Sequence, residues 1–133
     1  MKEKIVHYLR YVLDNVKAIE VAIIAALAWW AFILAVPLET FSGTKAYDAM
    51  AGIASEEVWA VAFFIVAICN LYGMIADKTK LRMISLIVSN GLWVFVSAMF
   101  AISDIATTGT GIYFIVSCLN TYVIYKVGEE NGR

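Results

Sequence analysis

The chain has 133 residues and a mass of 14.7 kDa, is 62% hydrophobic and only 16% charged, and has a mean hydropathy of +0.81. Soluble domains carry roughly 45–50% apolar and about 25% charged residues, so this composition excludes an ordinary water-soluble fold. Ten basic against eleven acidic residues exclude a broad basic surface for nucleic acid, and two cysteines exclude a disulfide framework.

Residues 1–20 come first, on the side assigned below to the cytoplasm. Within 2–20, Ile5, Leu9, Val12, Val16 and Ile19 recur at spacings of four and three, which puts them on one helical face. Glu3, His7, Arg10, Asp14 and Lys17 fall largely on the other. Such an amphipathic helix either lies in the headgroup plane, with Tyr8 and Tyr11 near the lipid heads, or extends the first span.

A transmembrane region over 21–125 follows. Four windows, 21–38, 58–76, 83–103 and 105–125, hold none of the charged side chains. A hydrocarbon core about 30 Å thick takes roughly 20 helical residues, so each window is long enough to cross it. None shows the polar stripe that a helix of a soluble bundle needs on its outer face. The expected fold is therefore all-α: four transmembrane helices in two sequential hairpins, preceded by the amphipathic helix. The first window begins only after residue 20 and ends in Pro37-Leu38-Glu39 without a small-x-small pattern, so it reads as a retained span rather than a cleaved signal.

The loop from Glu39 to Glu57 is acidic, with Glu39, Asp48, Glu56 and Glu57 against Lys45. Tyr47, Met50, Ala51 and Ala54 have the spacing of a short surface helix, and Ser55 reads as the N-cap of the second span. The same four acids are the candidate contact for an outside partner. The turn Asp77–Arg82 is short enough to make spans two and three antiparallel neighbours. The fourth span starts weakly, Ile-Ala-Thr-Thr-Gly-Thr-Gly over 105–111, so its helix is expected to begin near Gly111. Residues 126–133 form a short tail.

Four crossings place the N-terminal segment, the Asp77–Arg82 turn and the tail on one side, and these hold nine of the ten basic residues. The tenth, Lys45, is on the other. The positive-inside rule then puts both termini in the cytoplasm.

Nothing resembles a catalytic constellation. The lone histidine, His7, has no second ligand at metal-binding spacing, and Cys69 and Cys118 read as packing residues inside spans. No enzyme activity, metal or cofactor is expected. Nor is an ionisable group expected at membrane depth: Glu20 and Asp104 come nearest, and both sit at span ends. The spans do hold neutral polar groups, namely Asn70, Asn90 and Asn120 with Ser85, Ser89, Ser97 and Ser117. An amide in hydrocarbon is costly unless paired, so Asn70, Asn90, Asn120, Ser85 and Ser89 are candidates for interhelical contacts or for lining a pore. An internal echo relates residues 63–72, FFIVAICNLY, to residues 113–122, YFIVSCLNTY, with the asparagines in register, and Trp30-Ala31-Phe32 more weakly to Trp93-Val94-Phe95.

The run Pro37-Leu38-Glu39-Thr40-Phe41, then Ala46-Tyr47-Asp48-Ala49-Met50-Ala51 and Glu57-Val58-Trp59, followed by further spans, resembles small four-span integral membrane proteins of phage and prophage genomes. Some of these are labelled holin-like, and the resemblance implies a bacterial inner membrane. Three readings follow. One is a non-enzymatic protein that acts by assembling in that membrane as a homo-oligomer or with a membrane-protein partner, holin-like permeabilisation being its sharpest form. Another is a scaffold, accessory or superinfection-exclusion subunit that binds a partner through the acidic loop. The last is a small passive channel or transporter. In all three the lipid bilayer is the obligatory partner, and nucleic acid is not one.

Overall fold

The computed structural model describes residues 3, 4, 7, 15–36, 45–103 and 108–132. Every element among them is a helix: α1 (Val16–Ala35), α2 (Lys45–Ile53), α3 (Glu56–Ile75), α4 (Thr79–Ser103) and α5 (Thr108–Asn131). All but α2 are long and apolar enough to cross a membrane, which marks a multi-pass membrane protein.

The helices overrun the charge-free windows because their ends continue into charged sequence. α1 begins five residues early and takes in Lys17 and Glu20. Asn15 caps it, its side chain accepting from the Ala18 N–H. It ends at Ala35 rather than at residue 38, for Val36 precedes Pro37 and adopts extended backbone (φ −77°, ψ 133°). α4 starts at Thr79 and takes in Arg82, and α5 starts at Thr108, ahead of the expected Gly111, and runs on to Asn131. Ser55 stands at the N-cap of α3 in extended backbone, but its hydroxyl makes no capping bond.

Of the amphipathic helix expected over 2–20, Glu3, Lys4 and His7 are helical and exposed, while Val16 and Ile19 lie buried on α1. Ile5, Leu9 and Val12 lie outside the described residues, as do Glu39 and Asp104.

α1 packs mainly on α3, α3 on α4, and α4 on α5, while α1 and α5 touch only lightly. This ring leaves α1 facing α4, and α3 facing α5, across the diagonals. The α3–α4 turn closes with the Lys78 N–H bonded back to the Gly73 carbonyl and with Asp77 in the left-handed region (φ 51°), a Schellman arrangement in which aspartate stands where glycine is usual. Just before it, the helices approach so closely that a Cβ on Gly73 would lie 2.9 Å from the backbone of Arg82. Only glycine fits there.

The core divides into two halves. Toward the far end from that turn it is aromatic: Trp30 stacks on Phe63 and Trp93 on Tyr113, with ring centroids 5.8 and 5.9 Å apart. Trp30 meets Tyr113, and Phe63 meets Trp93, at steep angles. α2 folds over this end. Its Met50 is fully buried, Tyr47 packs edge-on against Phe100, and the Trp59 indole donates to the Met50 carbonyl at 3.0 Å. The half toward the turn is polar.

Candidate functional site

Glu20 sits one helical turn inside α1, on the stripe set by Val16, Ile23 and Leu27, all buried. Arg82 holds the corresponding place on α4, ahead of buried Ser85, Leu86 and Ser89. Both charged side chains therefore turn into the bundle and meet across its diagonal. Arg82 Nε donates to both Glu20 carboxylate oxygens, at 3.0 and 3.1 Å, and Nη2 donates to Oε2 at 2.6 Å. Glu20 is completely buried and Arg82 nearly so. Exposed Glu130 of α5 approaches Nη1 at 3.9 Å.

Near the start of α1, and so still toward a span end, Glu20 is drawn into the bundle by a partner that the sequence reading did not foresee. Its charge can lie in the interior because a guanidinium shares the burial and its planar donors match the carboxylate. The sequence held a signal for the inward facing of these two residues, though not for their pairing. Glu20 and Arg82 both fall in the phase of the apolar face of their helices, where a lone charge would be untenable.

Further in come the amides. Asn70 of α3 and Asn120 of α5 are both wholly buried. Asn120 Nδ2 donates to the Ser89 hydroxyl at 2.7 Å and to the Leu86 carbonyl at 3.2 Å, tying α5 to α4. Its Oδ1, and both polar atoms of Asn70, meet no hydrogen-bond partner among the described residues. Ser85 and Ser89 also turn inward, each hydroxyl donating to a carbonyl one turn back on α4. The structure thus brings four of the five predicted polar candidates inside the bundle.

The fifth, Asn90, lies toward the outer seam of α4 and α5. It donates to the Thr121 hydroxyl and accepts from the Ser117 hydroxyl, both at 3.1 Å, so its amide is spent on tying two helices together. On the acidic loop, Asp48 and Glu57 are exposed and Glu56 is half-buried. They form no closed site with one another. Burial, and secondarily the charge of Glu56, pushes the Tyr47 hydroxyl above the usual phenol range.

Among the described residues, two hollows on the bundle stand out. One, of about 360 Å³ between α1 and α3, is walled by Ala28, Ala31, Phe32, Ala35, Ala60, Val61 and Phe64 and is wholly apolar in side-chain chemistry. The other, of about 270 Å³, lies in the loose seam between α1 and α5. Among the described residues, no group of three or more His, Cys, Asp or Glu side chains could hold a metal ion.

No family model, curated protein or solved structure matches this chain.

Proposed function

We propose that this chain is a non-enzymatic, multi-pass protein of a bacterial cytoplasmic membrane, with both termini in the cytoplasm and its spans in two hairpins, and that it acts as a small passive channel or transporter for a small polar solute. The observation that carries this reading is the interior of the bundle. Asn70 presents a complete amide with no partner among the described residues, one helical turn before the Gly73 that abuts Arg82 and in a core that also holds Asn120 and Ser89. An unpaired buried amide costs roughly 1–3 kcal/mol, a burden that packing alone gives no reason to carry. The aromatic cluster of Trp30, Phe63, Trp93 and Tyr113 would then close the path toward the outer side, and the ion pair toward the cytoplasm.

Assembly through the membrane-embedded amides has less support. Asn90 and Asn120 bond within one chain, so neither calls for a neighbouring subunit. The interhelical contacts that Asn90 and Asn120 make are those of one bundle.

The test is flux through liposomes loaded with the purified protein, followed with urea, glycerol and potassium. At least one should cross faster than through empty vesicles. Asn70→Leu and Asn120→Leu should each change that rate severalfold while the protein stays helical and monodisperse. Release of a large entrapped dye, insensitive to either substitution, would favour holin-like permeabilisation instead. A silent protein that retains a membrane partner on affinity capture would favour the scaffold reading.

A further inference from the structure

The long helices are not joined equally. α1 packs closely on α3, and α4 on α5, whereas α3 meets α4 less extensively and α1 barely touches α5. Side-chain hydrogen bonds tie the α4–α5 pair at three levels, Thr79 to Asn131, Asn120 to Ser89 and Asn90 to Thr121. The bundle is therefore two tight helix pairs with a loose seam between α1 and α5. At the far end from the Asp77–Arg82 turn, α2 straps the pairs together, its Tyr47 set edge-on to Phe100 of α4, and Trp30 meets Tyr113 across the seam. Near the turn the pairs touch where Gly73 abuts the Arg82 backbone, and the Glu20–Arg82 ion pair joins them.

Arg82 also has a second carboxylate within reach. Its Nε and Nη2 serve Glu20, while Nη1 stands 3.9 Å from Glu130, beyond hydrogen-bond distance. Glu20 belongs to the other helix pair, but Glu130 is on α5 and travels with Arg82. We propose that the α1–α3 pair rocks against the α4–α5 pair about the Gly73 contact, parting α1 from α5 at the turn end, and that Arg82 passes from Glu20 to Glu130 as it does so. Breaking a buried ion pair is costly when it strands a charge. Here neither is stranded, because Glu130 receives the guanidinium and Glu20, one turn inside α1, meets water at the parted end. The same opening lets water reach the unpartnered amide of Asn70, one helical turn before Gly73. Packed helix pairs moving as rigid bodies about a short connection are a common form of switching. That this motion gates a solute rests on the reading of the interior as a path; the motion itself is measured without solute, so the two fail separately.

The test uses the full-length protein in nanodiscs, with Cys69→Ser and Cys118→Ser removing the native thiols. Nitroxide labels on Val21→Cys of α1 and Tyr125→Cys of α5, both exposed positions, report the distance across the seam by pulsed electron resonance. Labels on Val21→Cys and Leu71→Cys report the distance within the α1–α3 pair. Glu20→Gln should raise the population of a longer distance across the seam by about tenfold, the worth of a charge-assisted hydrogen bond, and leave the α1–α3 distance unchanged. Adding Glu130→Gln should reverse most of that gain. A second readout needs no change at Glu20. A water-soluble thiol reagent should modify Asn70→Cys only in the open form, and Glu130→Gln alone should slow that modification severalfold. Glu130 is exposed, so its replacement spares the fold and this arm decides alone if Glu20→Gln does not assemble. The proposal is overturned if Glu20→Gln leaves the seam distance as it was, if both distances lengthen together, or if Glu130→Gln changes neither readout.

Discussion

An ionised carboxylate inside a helical bundle is tolerable only when a cation shares its burial, and the fork between Arg82 and Glu20 meets that condition with three charge-assisted hydrogen bonds. Such a pair adds little net stability over apolar residues of similar size, yet removing one partner strands the other charge. Glu20→Gln or Arg82→Met alone should therefore cost about 3–5 kcal/mol, read as a shifted midpoint when helicity is followed through denaturation in mixed micelles. The double replacement Glu20→Leu with Arg82→Met should recover most of that loss. Additive losses would mean that the two side chains act separately. Sequence alone separates these residues by a long stretch of chain and gives each an ordinary place near a span end. Their pairing comes from the diagonal placement of α1 and α4.

Between elements, the closest approach is that of α3 and α4 at Gly73. A Cβ there would meet the Arg82 backbone, which cannot swing aside as a side chain can. Gly91, farther along α4, has open space around the same position. Gly73→Ala should consequently destabilise the protein by about 1–3 kcal/mol and disturb the ion pair that Arg82 makes next door. Gly91→Ala should be neutral or stabilise by up to about 1 kcal/mol, since only helix propensity changes. The same denaturation measurement compares them, and equal effects would rule out a close-packing role for Gly73. The short Asp77–Arg82 segment already announced two adjacent helices. That they touch at this glycine needed the left-handed Asp77 and the bond from Lys78 to Gly73, which depend on local backbone geometry.

At the scale of the whole molecule, the echo between residues 63–72 and 113–122 extends to burial. Phe63, Ala67 and Asn70 turn inward on α3, and Tyr113, Ser117 and Asn120 do so on α5 at the same spacing. The stacked pairs Trp30–Phe63 and Trp93–Tyr113 repeat one another as well, as do the two steeply angled pairs between them. Residues 63–70 and 113–120 thus present the same inward pattern, set in a matching arrangement of aromatic pairs. They differ in what the asparagines find: Asn120 bonds Ser89 and the Leu86 carbonyl, whereas Asn70 bonds nothing among the described residues. Four crossings also make a topological prediction. Reporter fusions at Lys78 and Glu130 should occupy one compartment and a fusion at Asp48 the other. A shared compartment for Asp48 and Glu130 would overturn the four-span reading.

Charge-free length was enough to count the four membrane helices, because hydrocarbon excludes ions over a fixed thickness and a helix has a fixed rise. The spacing of Tyr47 and Met50 was enough to foresee the short α2, for the same reason that any periodic apolar face must be covered. Partnership was another matter. Whether Asn70, Asn90 or Asn120 faces a neighbouring helix, an outer seam or no partner at all depends on how each helix is rotated against the others, and side-chain packing over the whole bundle sets that rotation. Tertiary structure alone therefore decided that Glu20 meets Arg82, that Asn90 is spent on Ser117 and Thr121, and that Asn70 finds no partner among the described residues.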